Sequence, residues 1–170
     1  MTYSSSQEVL VPADAFRVSR DSLLLVSELH AALAVCLHDD TQAVGGLLHL
    51  RYVATGGGNE PLDLTDNTLS SDLLLMDSFC KELRSAGARK QSWRVSIFGH
   101  TPETPAMQGP AATVLDLAKA YFADARLPVE CREFRRGMGL VVRLDVREGR
   151  IWVNGTPGTA TTRLAAPVGA

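Results

Sequence analysis

Apolar and polar positions fall in blocks along this chain, and the densest block frames the rest. Two apolar runs, Ala31–Leu37 and Ala43–Leu50, flank the polar stretch His38-Asp39-Asp40-Thr41-Gln42. Short apolar runs rich in small and β-branched residues, parted by a polar turn, predict a buried β-hairpin. The second run contains a Gly45-Gly46 pair and carries His49 near its end. Upstream, Val11–Ser19 alternates weakly, and Leu23–Val26 begins another apolar run that leads into the hairpin.

Downstream the period changes. Ser70 or Ser71 is placed to cap a helix of about 16 residues, with Leu73, Met76, Phe79, Cys80 and Leu83 at helical spacing and Gly87 as the stop. Trp93–Gly99 alternates as a strand does. Thr101–Pro110 contains three prolines and reads as loop. A second helix follows over about Ala111–Ala125, with Val114, Leu115, Ala118, Tyr121 and Phe122 on one face. Leu127–Phe134 and Leu140–Val146 predict two more strands, joined by a Gly137-Met138-Gly139 turn, and Ile151–Val153 a last one. Residues 1–10 and 155–170 are expected to be flexible ends around one domain spanning 11–154. Between the hairpin and the first helix, the segment from Gly56-Gly57-Gly58 to Leu69 is expected to be a mobile loop, since no Lys-Ser/Thr follows the glycines as a phosphate cradle requires. Strands, helix, strand, helix, strands: the order is that of an α+β domain.

Composition narrows the class without naming a function. At 170 residues the chain fits one domain with a real core. A net charge of −2 gives no electrostatic case for nucleic acid or an anionic membrane. No apolar run approaches the ~20 residues needed to span a bilayer, and MTYSSSQEV has neither the basic region nor the apolar core of a signal peptide. Cys36, Cys80 and Cys131 are odd in number and widely spaced, which suggests neither a disulfide framework nor a zinc pair. The expectation is a cytoplasmic, reduced protein without cofactor or metal; the four histidines, His30, His38, His49 and His100, read as ordinary polar or surface residues.

The central hairpin resembles the bacterial chemoreceptor glutamine deamidases (CheD), whose signature is G-S-C-V-A-V-C-L-x-D followed by G-G-x-x-H. The matching residues are His30-Ala31-Ala32-Leu33-Ala34-Val35-Cys36-Leu37-His38-Asp39, then Gly45-Gly46-Leu47-Leu48-His49. Ser96-Ile97-Phe98-Gly99 also matches part of the family's K-I-F-G-G-A strand, and the resemblance extends over about residues 8–154. It implies a layered sandwich of mixed and antiparallel sheets, with two helices packed on one side. It also implies hydrolysis of glutamine side-chain amides on chemoreceptors by a cysteine, an activating histidine and a threonine that orients the histidine. His49 falls on the family histidine; the cysteine falls on Ala32, the Gly-Ser before it on His30-Ala31, and the threonine on Val26, with Ser27 next door. The family's I-G-x-x-N motif keeps only Gly109, with Ala112 at the asparagine.

A methyl group cannot attack an amide carbon, so the resemblance implies a degenerate homologue. Such a protein binds chemoreceptor cytoplasmic helices or a CheC-type phosphatase without deamidating. The alternative is an active deamidase with a relocated nucleophile, Cys36 or Ser27, and His49 as base. Cys36 lies about 13 Å along the strand from Ala32, too far for a histidine placed opposite Ala32, and reads as a core residue. Alternation turns Ser27 to the face opposite Val26. The oligomeric state is open.

Overall fold

The computed structural model describes residues 7–52, 67–155 and 161–163. Among them are ten strands in two sheets and two α-helices. In chain order the strands are β1 Gln7–Leu10, β2 Ala15–Ser19, β3 Leu23–Leu29, β4 Ala32–Asp39 and β5 Val44–Arg51, then β6 Trp93–Thr101, β7 Val129–Arg135, β8 Leu140–Asp145, β9 Ile151–Gly155 and β10 Thr161–Arg163. Helix α1 is Asn67–Ser85 and helix α2 is Gln108–Asp124. One sheet runs β1-β3-β8-β9-β10; the other runs β2-β5-β4-β6-β7 and has the expected hairpin at its centre. Both are mixed: β1 runs parallel to β3, and β6 parallel to β7. The second parallel pair needs a crossover, which α2 supplies between β6 and β7.

Every residue of β4 is buried, because the strand has a neighbour on each edge and a layer on each face. Its side chains alternate between two cores. Ala32, Ala34 and Cys36 join Leu25, Leu29, Leu47, Phe98 and Val142 between the sheets. Leu33, Val35 and Leu37 join Leu48, Leu50, Met76, Phe79 and Phe122 under the helices. A run apolar at every position is what a strand covered on both faces requires. The result is the expected α+β layering, sheet on sheet with two helices on one side, and it fits a CheD-like fold.

Helix α1 begins at Asn67, before the expected Ser70 or Ser71, and ends as expected at Gly87. There the amides of Gly87 and Ala88 donate to the carbonyls of Arg84 and Leu83, and Gly87 takes φ of 104°. That is the Schellman closure, which favours glycine because only glycine lacks a Cβ to clash in the left-handed region. Helix α2 closes in the same way on Arg126 at φ 58°, with Arg126 and Leu127 donating to Ala123 and Phe122.

Other expectations needed correcting. Helix α2 starts at Gln108 and takes in Gly109 and Pro110 from the expected loop, since a first-turn proline has no N–H to lose. Gly137-Met138-Gly139 joins β7 to β8 as expected, but the two strands lie in different sheets. Parts of both expected flexible ends are strand: Gln7–Leu10 pairs with β3, and Thr161–Arg163 with β9. The Gly56-Gly58 loop lies outside the described residues.

Candidate functional site

The site positions gather at the end of the inter-sheet core where β3 turns into β4. The turn is tight: Ala31 sits in the left-handed region at φ 50°, which costs an L-residue about 1–2 kcal/mol. Two bonds hold it there. Tyr52 N–H donates to the Ala31 carbonyl at 2.8 Å, and Ala31 N–H donates to His100 Nδ1 at 2.9 Å. Since Nδ1 accepts, the ring proton is on Nε2, which donates to the Arg136 carbonyl at 3.0 Å. His100 thus ties the β3–β4 turn to the end of β7. It is buried, and burial holds its pKa below the usual imidazole range against the pull of the Arg136 carbonyl.

Ala32, where the resemblance would put the family cysteine, is buried and opens β4 between Arg51 of β5 and His100 of β6. His49 is not opposite Ala32. The register pairs it with Ala34, one row further into the sheet on the same face. Its Nδ1 donates to the Val11 carbonyl at 3.1 Å, which leaves Nε2 without the proton and basic. Burial lowers the pKa of the ring; the Val11 carbonyl and the charge of Asp14 oppose that, while Arg51 and His30 reinforce it. A neutral imidazole at neutral pH is the consequence. Asp14 in turn pairs with Arg51, carboxylate to guanidinium, at 2.8 and 3.0 Å.

Ser27 shares the Val11 carbonyl. Its hydroxyl donates to that oxygen at 2.9 Å and is fully buried. Both lone pairs of one backbone oxygen are therefore taken, one by Ser27 and one by His49. Alternation does separate Val26 from Ser27, but the inward residue is Ser27: it shares parity with Leu25 and Leu29, which line the inter-sheet core. So the inward hydroxyl comes from the neighbour of Val26, where the resemblance would put the threonine, and it reaches His49 only through the backbone of Val11. Nothing in the apolar pattern marks Val11 for that part.

Cys36 faces the same core as Ala32 and His49. With His49 in the row of Ala34, Ala32 and Cys36 lie equally far from it, each about 7 Å along the strand. Distance therefore does not separate Cys36 from Ala32 as a neighbour of His49. Burial is what sets Cys36 aside: the residue is 2% exposed, and desolvation pushes its thiol well above the ordinary value. A neutral thiol is a poor nucleophile.

Of the remaining histidines, His30 is exposed on the turn, with its ring 6.2 Å from that of His100. His38, expected among polar or surface histidines, is buried at the far end of β4, its nitrogens facing Asp40 at 2.7 Å and the Val146 carbonyl at 2.8 Å. Among the described residues no group of three or more His, Cys, Asp or Glu is arranged to hold a metal ion. No helix among them is long and apolar enough to cross a membrane.

A two-sheet α+β layer with a buried, basic histidine at one end of the inter-sheet core is the class that fold and site define. Within that class the chain is similar to proteins named as probable chemoreceptor glutamine deamidases CheD. The Burkholderia thailandensis protein is 27% identical over 84 residues, which is 49% of this chain and 35% of that protein. A relative in Burkholderia mallei and one in Burkholderia pseudomallei match with the same identity and coverage. The chain thus matches about a third of the length of these curated relatives. No family model matches it.

Proposed function

We propose that this chain is a CheD-like chemotaxis protein that binds a chemoreceptor cytoplasmic helix, or a CheC-type phosphatase, without hydrolysing glutamine side chains. The observation that carries the reading is Ala32. An amide carbon is a poor electrophile, and its hydrolysis on this plan needs a nucleophile within hydrogen-bond reach of a base. His49 offers a basic Nε2, but the residues sharing its core offer a methyl group, a hydroxyl committed to Val11, and a buried neutral thiol. The relocated-nucleophile alternative would have to break the Ser27 bond or ionise Cys36 in an apolar interior. Similarity to proteins named for chemoreceptors supports the choice of partner.

The test is a deamidation assay on a chemoreceptor cytoplasmic fragment, read by mass spectrometry as the ~1 Da gain of Gln→Glu. Wild type, Ala32→Cys and His49→Ala are run side by side, with binding to the fragment and to the phosphatase measured in parallel. No gain for wild type together with stable binding supports the proposal. A wild-type gain that His49→Ala abolishes overturns it.

A further inference from the structure

Strand β7 is an edge, and its outer side carries a pattern that fits itself. Among the described residues it pairs only with β6. The amide of Arg136, just past its end, donates to Thr101 of β6. Backbone groups on a strand alternate sides, so those of Glu130, Arg132 and Phe134 face β6, and those of Val129, Cys131 and Glu133 face outward, where no strand among the described residues meets them. An edge with free amides and carbonyls is a template for another strand.

A two-fold axis that extends a sheet antiparallel stands normal to it, so opposed residues share a face and the sum of their numbers is even. That leaves few registers. Centring on Arg132 opposes Arg132 to Arg132, and centring on Glu133 opposes Glu133 to Glu133; centring on Glu130 repeats the fault. Centring on Cys131 does the reverse. Cys131 meets Cys131 of the second copy in a hydrogen-bonded pair, Val129 meets Glu133, and Glu130 meets Arg132 twice over in the closer, non-hydrogen-bonded pairs. Glu130 and Arg132 already touch within one strand, at 3.3 Å between carboxylate and guanidinium, and both side chains are solvent-accessible. Their reach across the edge needs no core rearrangement.

We propose that β7 is a self-association surface, and that its partner is a second copy of this chain docked antiparallel about Cys131, which makes one continuous sheet across two molecules. Cross-strand pairs of opposite charge stabilise such a contact and like charges disrupt it.

Sedimentation velocity of the full chain over a wide concentration range tests this, on wild type, Glu130→Arg, Arg132→Glu and the double exchange. Wild type is expected to dimerise. Each single exchange places like charges opposite one another twice and weakens the dimer on the order of tenfold or more, and the double exchange restores it. Circular dichroism checks that each variant folds. A short bismaleimide should join two wild-type chains through Cys131 and fail on Cys131→Ser, whose dimer persists in sedimentation. A wild-type chain that stays monomeric throughout overturns the proposal, as does a dimer indifferent to the single exchanges or not restored by the double one.

Discussion

Gly46→Ala tests how tightly the first helix seats on the strand that carries His49. A Cβ built at Gly46 would lie 2.6 Å from Phe79 Cε2, 3.0 Å from the Arg17 carbonyl oxygen and 3.0 Å from Val18 Cγ2. Carbon atoms prefer about 3.5–4.0 Å, so the ring would have to retreat by about 1 Å. It has little room to do so: Phe79 is fully buried, and its ring centroid is 5.5 Å from that of Phe16. The backbone oxygen of Arg17 blocks the other side, because β2 is paired to β5 at that point. Overpacking of this kind costs about 1–3 kcal/mol. In a chain of 170 residues that lowers the melting temperature by about 2–12 °C, read by thermal denaturation followed by circular dichroism. Two companions make the test specific. Phe79→Leu in the Gly46→Ala background should recover part of the loss by vacating the clash. Gly45→Ala should cost less, since its nearest neighbour is the His38 ring edge at 3.1 Å. A Gly46→Ala protein that melts with wild type, or one that Phe79→Leu fails to rescue, would refute the packing argument.

Two further outcomes follow from the site. Cys36 should react slowly with a thiol probe in the folded protein and at an ordinary rate in denaturant, with mass spectrometry locating the label; rapid labelling of the folded state would mean an activated thiolate. The second outcome concerns pH. His49 and His100 have pKa values lowered by burial, so the unfolded chain binds protons more readily, and their contribution to stability is full above about pH 6.5 and declines as pH falls below it. Asp72 works against this trend: burial, then the charge of Asp14, push its carboxyl up to about 6, so its contribution is lost as pH rises from about 4 through 6. Denaturant melts from pH 7 down to 5 should show wild type losing stability more steeply than His49→Gln, and a variant with the same slope would show that His49 is not held neutral by the fold.

The hairpin was legible in the sequence because runs that are apolar at nearly every position have few places to go except between two layers. The helix stop at Gly87 was legible for a similar reason, since the left-handed turn it makes favours glycine. The resemblance of the stretch from Ala32 to His49 to the CheD motif was visible too, and that position 32 carries a methyl group is a fact of residue chemistry. What the sequence left undecided was pairing. A strand carries no record of which residue of its neighbour lies opposite. Only the register put His49 beside Ala34, equally far along the strand from Ala32 and Cys36, and only the stacking of the sheets turned Ser27 inward. The connection through Gly137-Met138-Gly139 reads locally as a turn, and only the sheet order makes it a passage between layers. The links that hold the site, His100 to Ala31 and the Val11 carbonyl to Ser27 and His49, join residues 69, 16 and 38 positions apart. Contacts that distant in sequence form only once both sheets are in place, so tertiary packing alone decided them.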